Sequence, residues 1–169
     1  EIQNAYHQWF KLTDTSPKFP VTMTKQTRQV TSGKLGWETR FRFVSQMEGA
    51  SMSLSGEDGP ALTMVSEGGN LVLKAGEKSF VLSECKTNQE YGLKVDINLD
   101  EKTISAYVNG RLVVDEEEAN TLSSVQGAVI DTGVEAVGEW FVYCVKLYKH
   151  YAVNERFIAS MDGEIPDDW

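Results

Sequence analysis

A chain of 169 residues, 41% hydrophobic and 24% charged, has the size and balance of one globular domain with a core of its own. Its formal net charge of -9 argues against nucleic acid and against anionic membrane surfaces, which are held by clustered Lys and Arg. The same acidity disfavours a polyanionic polysaccharide unless a local basic patch overrides it, and no apolar run reaches the length of a membrane span.

Strand-like runs follow one another along the chain. Ala5 to Leu12 is aromatic-rich, and Val21 to Val30 carries β-branched residues after Pro17 and Pro20. Trp37, Thr39, Phe41 and Phe43 alternate with Glu38, Arg40 and Arg42, the period-two signature of a half-buried strand. Ser51 to Ser55, Pro60 to Val65, Leu71 to Ala75 and Phe80 to Leu82 come next, punctuated by Gly68-Gly69-Asn70 and Gly76-Glu77. Tyr91, Leu93, Val95 and Ile97 then alternate with Gly92, Lys94, Asp96 and Asn98. A turn at Asp100-Glu101-Lys102 leads into Thr103 to Val108, and Asn109-Gly110 leads back into Arg111 to Val114. Asn-Gly between such runs predicts a type I′ hairpin, whose two central residues need positive φ. Glu116 to Leu122 is the one stretch that suits a helical turn, and Asp115 to Glu118 is expected in a solvated loop. Val125 to Ile130 and Trp140 to Tyr148 close the series. In the last run strict alternation places Phe141, Tyr143, Val145 and Leu147 on one face and Val142, Cys144, Lys146 and Tyr148 on the other. Short strands at this spacing, with no 3.6-residue period, predict an all-β fold of roughly ten to fourteen strands in an antiparallel two-sheet β-sandwich.

Three segments resemble the concanavalin A-like, laminin-G-like jelly-roll domains of secreted bacterial polysaccharide-active proteins. They are Tyr91 to Arg111, with its strand, short turn and strand ending in Asn-Gly; Ile130 to Gly133 followed by Trp140 to Lys149; and Asn154 to Trp169. The third is similar to the signature with which such domains begin. Its place here implies that residues 1–150 form the sandwich module, with 151–169 as a terminal strand or the start of a following module. The chain opens at Glu1 without a signal sequence, so it is expected to be a mature form or a segment of a longer protein. The resemblance implies an extracellular or cell-surface setting, with neighbouring domains of the same polypeptide as partners. It also implies a calcium site near the junction of first and last strands. Tyr143-Cys144 stands where the family commonly has aspartates, leaving Asp162, Asp167 and Asp168 as candidate donors.

Glycoside hydrolases of this fold carry Glu-x-Asp-x-(x)-Glu on one strand, and that spacing is absent. No Gly-x-Ser-x-Gly, His-Glu-x-x-His or phosphate loop occurs, and His7 and His150 have no nucleophile beside them in sequence. The expectation is therefore a chain that is not an enzyme: a noncatalytic carbohydrate-binding or accessory module of a larger polysaccharide-degrading protein. A structural spacer that packs on a catalytic domain is the alternative, and a glycan lyase or glycosidase a third reading. Sugar binding needs exposed rings beside polar groups, which selects Trp9, Arg40, Tyr91, Tyr107 and Trp140, with Arg42 and Lys94 as further members of a polar platform. Trp37 is assigned to the core. Whether Cys85 and Cys144 pair stays open, because spacing in sequence does not fix the distance between their Cβ atoms.

Overall fold

The computed structural model describes residues 9–150 apart from Glu135. It is an antiparallel sandwich of twelve strands: β1 (Phe10–Asp14), β2 (Thr22–Val30), β3 (Lys34–Phe43), β4 (Ser51–Ser55), β5 (Pro60–Glu67), β6 (Asn70–Ala75), β7 (Lys78–Glu84), β8 (Glu90–Asn98), β9 (Thr103–Val108), β10 (Arg111–Glu118), β11 (Val125–Asp131) and β12 (Gly138–His150). Sheet A has the order β1-β12-β3-β8-β9-β10, and sheet B the order β2-β11-β4-β5-β6-β7. The first and last strands among the described residues thus lie side by side, Phe10 opposite Val142 and Asp14 opposite Gly138.

Alternation builds the interior. In β8 Tyr91, Leu93, Val95 and Ile97 point inward while their neighbours are half exposed. The inner face of sheet A centres on an aromatic cluster: Phe41 stacks on Tyr91 at 5.5 Å and meets Phe43 and Trp140 edge-on, and Phe43 lies 5.0 Å from Trp140. Sheet B opposes it with Met52, Leu54, Leu62, Met64, Leu71 and Leu73, all buried. Asn109 and Gly110 have φ of 51° and 80°, as a type I′ turn requires.

Two local expectations fail. Glu116 to Leu122 forms no helical turn. Strand β10 runs on through Glu118, and its irregular pairing with β9 takes Glu116 to a φ of 46°. The acidic run is therefore the exposed end of an edge strand rather than a loop; four carboxylates there also protect the edge against pairing. In β12 strict alternation breaks at a bulge, where the register with β3 slips between Val142 and Cys144. Phe141 lies outside with Tyr143, whereas Val145 and Leu147 pack against the core. One extra residue flips every later side chain of the strand.

Asp14 ties the first strand to the β11–β12 connection. Its buried carboxylate accepts the Thr132 hydroxyl and the Ser16 amide, and Thr132 Oγ1 accepts the Val21 amide at 2.8 Å. Residues 151–169, and with them Asp162, Asp167, Asp168 and the third family-like segment, lie outside the described residues, as does His7.

Candidate functional site on the outer face of sheet A

Strand register assembles rows of side chains across the outer face of sheet A. One row runs Lys146, Glu38, Lys94, Tyr107 over β12, β3, β8 and β9. The next runs Tyr148, Gly36, Asp96, Ser105, and a third His150, Lys34, Asn98, Thr103. On the other side Cys144 faces Arg40 and Gly92. Neighbouring strands stand about 4.8 Å apart, so residues in a row touch across the sheet.

Two adjoining hollows occupy this face. The larger, about 700 Å³, is walled by Glu38, Arg40, Glu90, Lys94, Asn109 and Lys146. The smaller, about 390 Å³, is walled by Lys34, Asp96, Asn98, Glu101, Tyr107 and His150 among others. Both are open to solvent on one side and mix charged groups with ring faces, as a surface for a hydroxyl-rich ligand does.

The polar groups are specifically committed. The Tyr148 hydroxyl donates to Glu38 Oε1 at 2.6 Å, and its ring lies across Gly36, where a Cβ would overlap it. Burial, the Glu38 bond and charge, and the charge on Asp96 push the Tyr148 phenol up to about 12. Lys94 Nζ donates to Asp96 Oδ2 at 2.9 Å and sits 5.1 Å from the centre of the Tyr107 ring. The Asp96 bond raises the Lys94 pKa further, against a smaller effect of burial. His150 Nε2 lies 3.3 Å from Asp96 Oδ1, and its ring packs edge-on to Tyr148 at 5.1 Å. Arg40 meets Glu90 only at 3.8 Å, and Arg42 lies over Phe141.

The structure sorts the five residues selected from the sequence. Arg40 and Tyr107 stand on this outer face, in the walls of the hollows. Trp9 packs on Phe141 and Tyr143 at the β1 side of the same sheet, 5.3 Å from the Tyr143 ring. Tyr91 and Trp140 do not belong with them. They are 1% and 0% exposed, held inward by the aromatic cluster around Phe41, and the Tyr91 hydroxyl is spent on Glu84 O and the Lys86 amide. Glu38, Asp96, Lys146, Tyr148 and His150 were missed. Outward alternation marks Glu38 and Asp96, but the bulge in β12 and the pairing order that gathers the group are not local signals.

Cys85 and Cys144 are both free thiols. Cys144 lines the larger hollow on sheet A, whereas Cys85 is half buried beside Ser66 of sheet B, where burial raises its thiol pKa. Among the described residues no three His, Cys, Asp or Glu side chains converge as a metal site, and no helix is long and apolar enough to cross a membrane.

No known protein family and no curated protein matches this sequence. Solved structures do match the fold. A sialidase superposes with a TM-score of 0.68 at 14% identity, covering 97% of this chain and 19% of that one, so the chain spans about a fifth of the sialidase. The alginate lyase AlgAT5 of polysaccharide lyase family 7 superposes with a TM-score of 0.60 at 15% identity over 86% of this chain and 79% of the lyase. A heptameric SAP-like pentraxin from Limulus polyphemus gives 0.61 at 14% identity, over 94% of this chain and 83% of its own. The expectation that the chain is not an enzyme does not stand, since alginate lyases are built on this architecture. A dry interior between two sheets leaves no room for chemistry, but the outer face of a sheet does, and a missing carboxylate motif on one strand says nothing about groups gathered from several. The chain has the jelly-roll β-sandwich fold shared by carbohydrate-active proteins.

Proposed function

We propose that the protein holds a polysaccharide along the outer face of sheet A and cleaves a glycosidic bond there. The observation that carries this reading is the cluster in which Glu38, Tyr148, His150 and Asp96 are linked at the meeting of the two hollows. Tyr148, kept protonated by its surroundings, suits the role of proton donor to a departing sugar oxygen. In the tautomer whose Nε2–H donates to Asp96, His150 keeps a lone pair on Nδ1 and suits the role of base. Similarity to lyase and hydrolase folds at 12 to 17% identity is compatible with this chemistry. An extracellular setting, in a larger polypeptide whose other domains it adjoins, belongs to the same proposal.

The test is a panel of polysaccharides assayed for new reducing ends and for the conjugated double bond that elimination leaves. Wild type is expected to turn over at least one member, and Tyr148→Phe to lose that turnover by about 10²-fold or more while still retaining the glycan. The Cys144 thiol offers a footprint of the same site: bound glycan should slow its alkylation and leave Cys85 unaffected. Binding without turnover on every substrate would overturn the chemical part, and no binding at all would overturn the whole.

A further inference from the structure

The larger hollow holds three cations, and they are not equally occupied. Lys94 is committed to Asp96 at 2.9 Å and to the Tyr107 ring. Arg40 is held loosely, 3.8 Å from Glu90, with the Arg40 and Glu90 side chains 61% and 51% exposed. Lys146 stands directly opposite Glu38 in the β12–β3 register, the usual arrangement for a cross-strand ion pair. Yet Glu38 is turned toward Tyr148, and among the described residues Lys146 makes no ion pair. The bulge between Val142 and Cys144 is what puts Lys146 on this face at all.

An ammonium with no ion pair among the described residues and a weakly held guanidinium therefore flank one hollow of a chain whose net charge is -9. Long-range attraction cannot bring an anion to such a protein, and the field of the whole molecule opposes it. Only a local, geometrically defined pair of donors can overcome that repulsion, through charge-assisted hydrogen bonds made at contact. Arg40 offers a planar fork that matches a carboxylate, and Lys146 a point charge two strand positions along and one strand over.

We infer that the larger hollow takes a carboxylated sugar, a uronate residue, with its carboxylate held between Lys146 and Arg40. This rests on the glycan reading above and adds the class of glycan. Neutral sugars bring Lys146 no counter-charge, and a carboxylate supplies the partner that Glu38 does not.

The experiment is retention of the whole chain on affinity gels holding polymers of glucuronate, galacturonate, mannuronate and guluronate. Each is run beside its carboxyl-reduced counterpart and a neutral glucan. At least one uronate polymer should retard the protein, and its reduced form should not. Lys146→Met and Arg40→Met should each weaken binding roughly tenfold or more, and Lys146→Arg should keep most of it. Both positions are exposed, so circular dichroism should show the variants folded. Equal retention by a uronate polymer and its reduced form would overturn the carboxylate inference and leave the glycan reading in place. Uronate binding untouched by either Met substitution would overturn it too. Failure to bind any polymer on the panel would overturn the reading beneath it.

Discussion

Tyr148 shows how one side chain depends on an absence elsewhere. Gly36 has no Cβ to obstruct the ring, so the phenol lies across β3 and reaches Glu38. The raised pKa follows from that placement, and its sign is definite. A phenol whose folded value exceeds its ordinary 10.0 stabilises the fold below that pH and loses the contribution as pH rises through about 12. Ultraviolet titration should show one tyrosine ionising near 12; in Glu38→Gln or Gly36→Ala it should ionise closer to 10. An unchanged titration in both variants would mean that the Tyr148–Glu38 contact does not set the value. Asp14 is the opposite case. The Thr132 hydroxyl, and after it the Ser16 amide, hold its carboxyl below the usual range. That contribution is present above the ordinary value of 3.8 and is lost as pH falls below it. Thr132→Val should lower the melting temperature at neutral pH, and the deficit relative to wild type should shrink in acid. A constant deficit across pH would point to packing alone.

Among the elements, β12 decides most. It pairs with both β1 and β3, and its bulge turns Val145 and Leu147 inward and Lys146 and Tyr148 outward. Deleting Tyr143 would remove the extra residue and make the strand regular, with Cys144 following Val142 opposite Arg40 and Lys146 still opposite Glu38 on the outer face. The deletion is expected to keep a cooperative thermal transition, as is Tyr143→Ala, and loss of the transition in the deletion alone would show that the bulge itself is needed to close the sheet. Strand β2 behaves differently. It is exposed along nearly its whole length at the edge of sheet B, with Lys25 and Arg28 among its side chains, and charges of that kind discourage pairing with another chain.

At the scale of the molecule, two six-stranded sheets share one apolar interior in which the rings of Phe41, Phe43, Tyr91 and Trp140 interlock. Phe41 touches all three others and is fully buried, so Phe41→Ala should cost about 3–5 kcal/mol, measured as a lower urea midpoint with an unchanged m-value. This cluster also explains why aromatic residues were poor guides to a ligand surface here. A tryptophan such as Trp140 looks the same in sequence whether it binds sugar or fills a core.

The strands, the Asn109-Gly110 hairpin and the two-sheet fold were legible from the residues alone, because alternation and turn chemistry are properties of short stretches of chain. Inward positions such as Leu93, Val95 and Ile97 were legible for the same reason. Of the candidate site, Arg40, Lys94 and Tyr107 were picked out as outward-facing residues, but the assembly around Tyr148 was not. Its residues come from β3, β8, β9 and β12, and they meet only through pairing order, register and one bulge. Those depend on how distant segments pack together, so the composition of any one strand carries no mark of them.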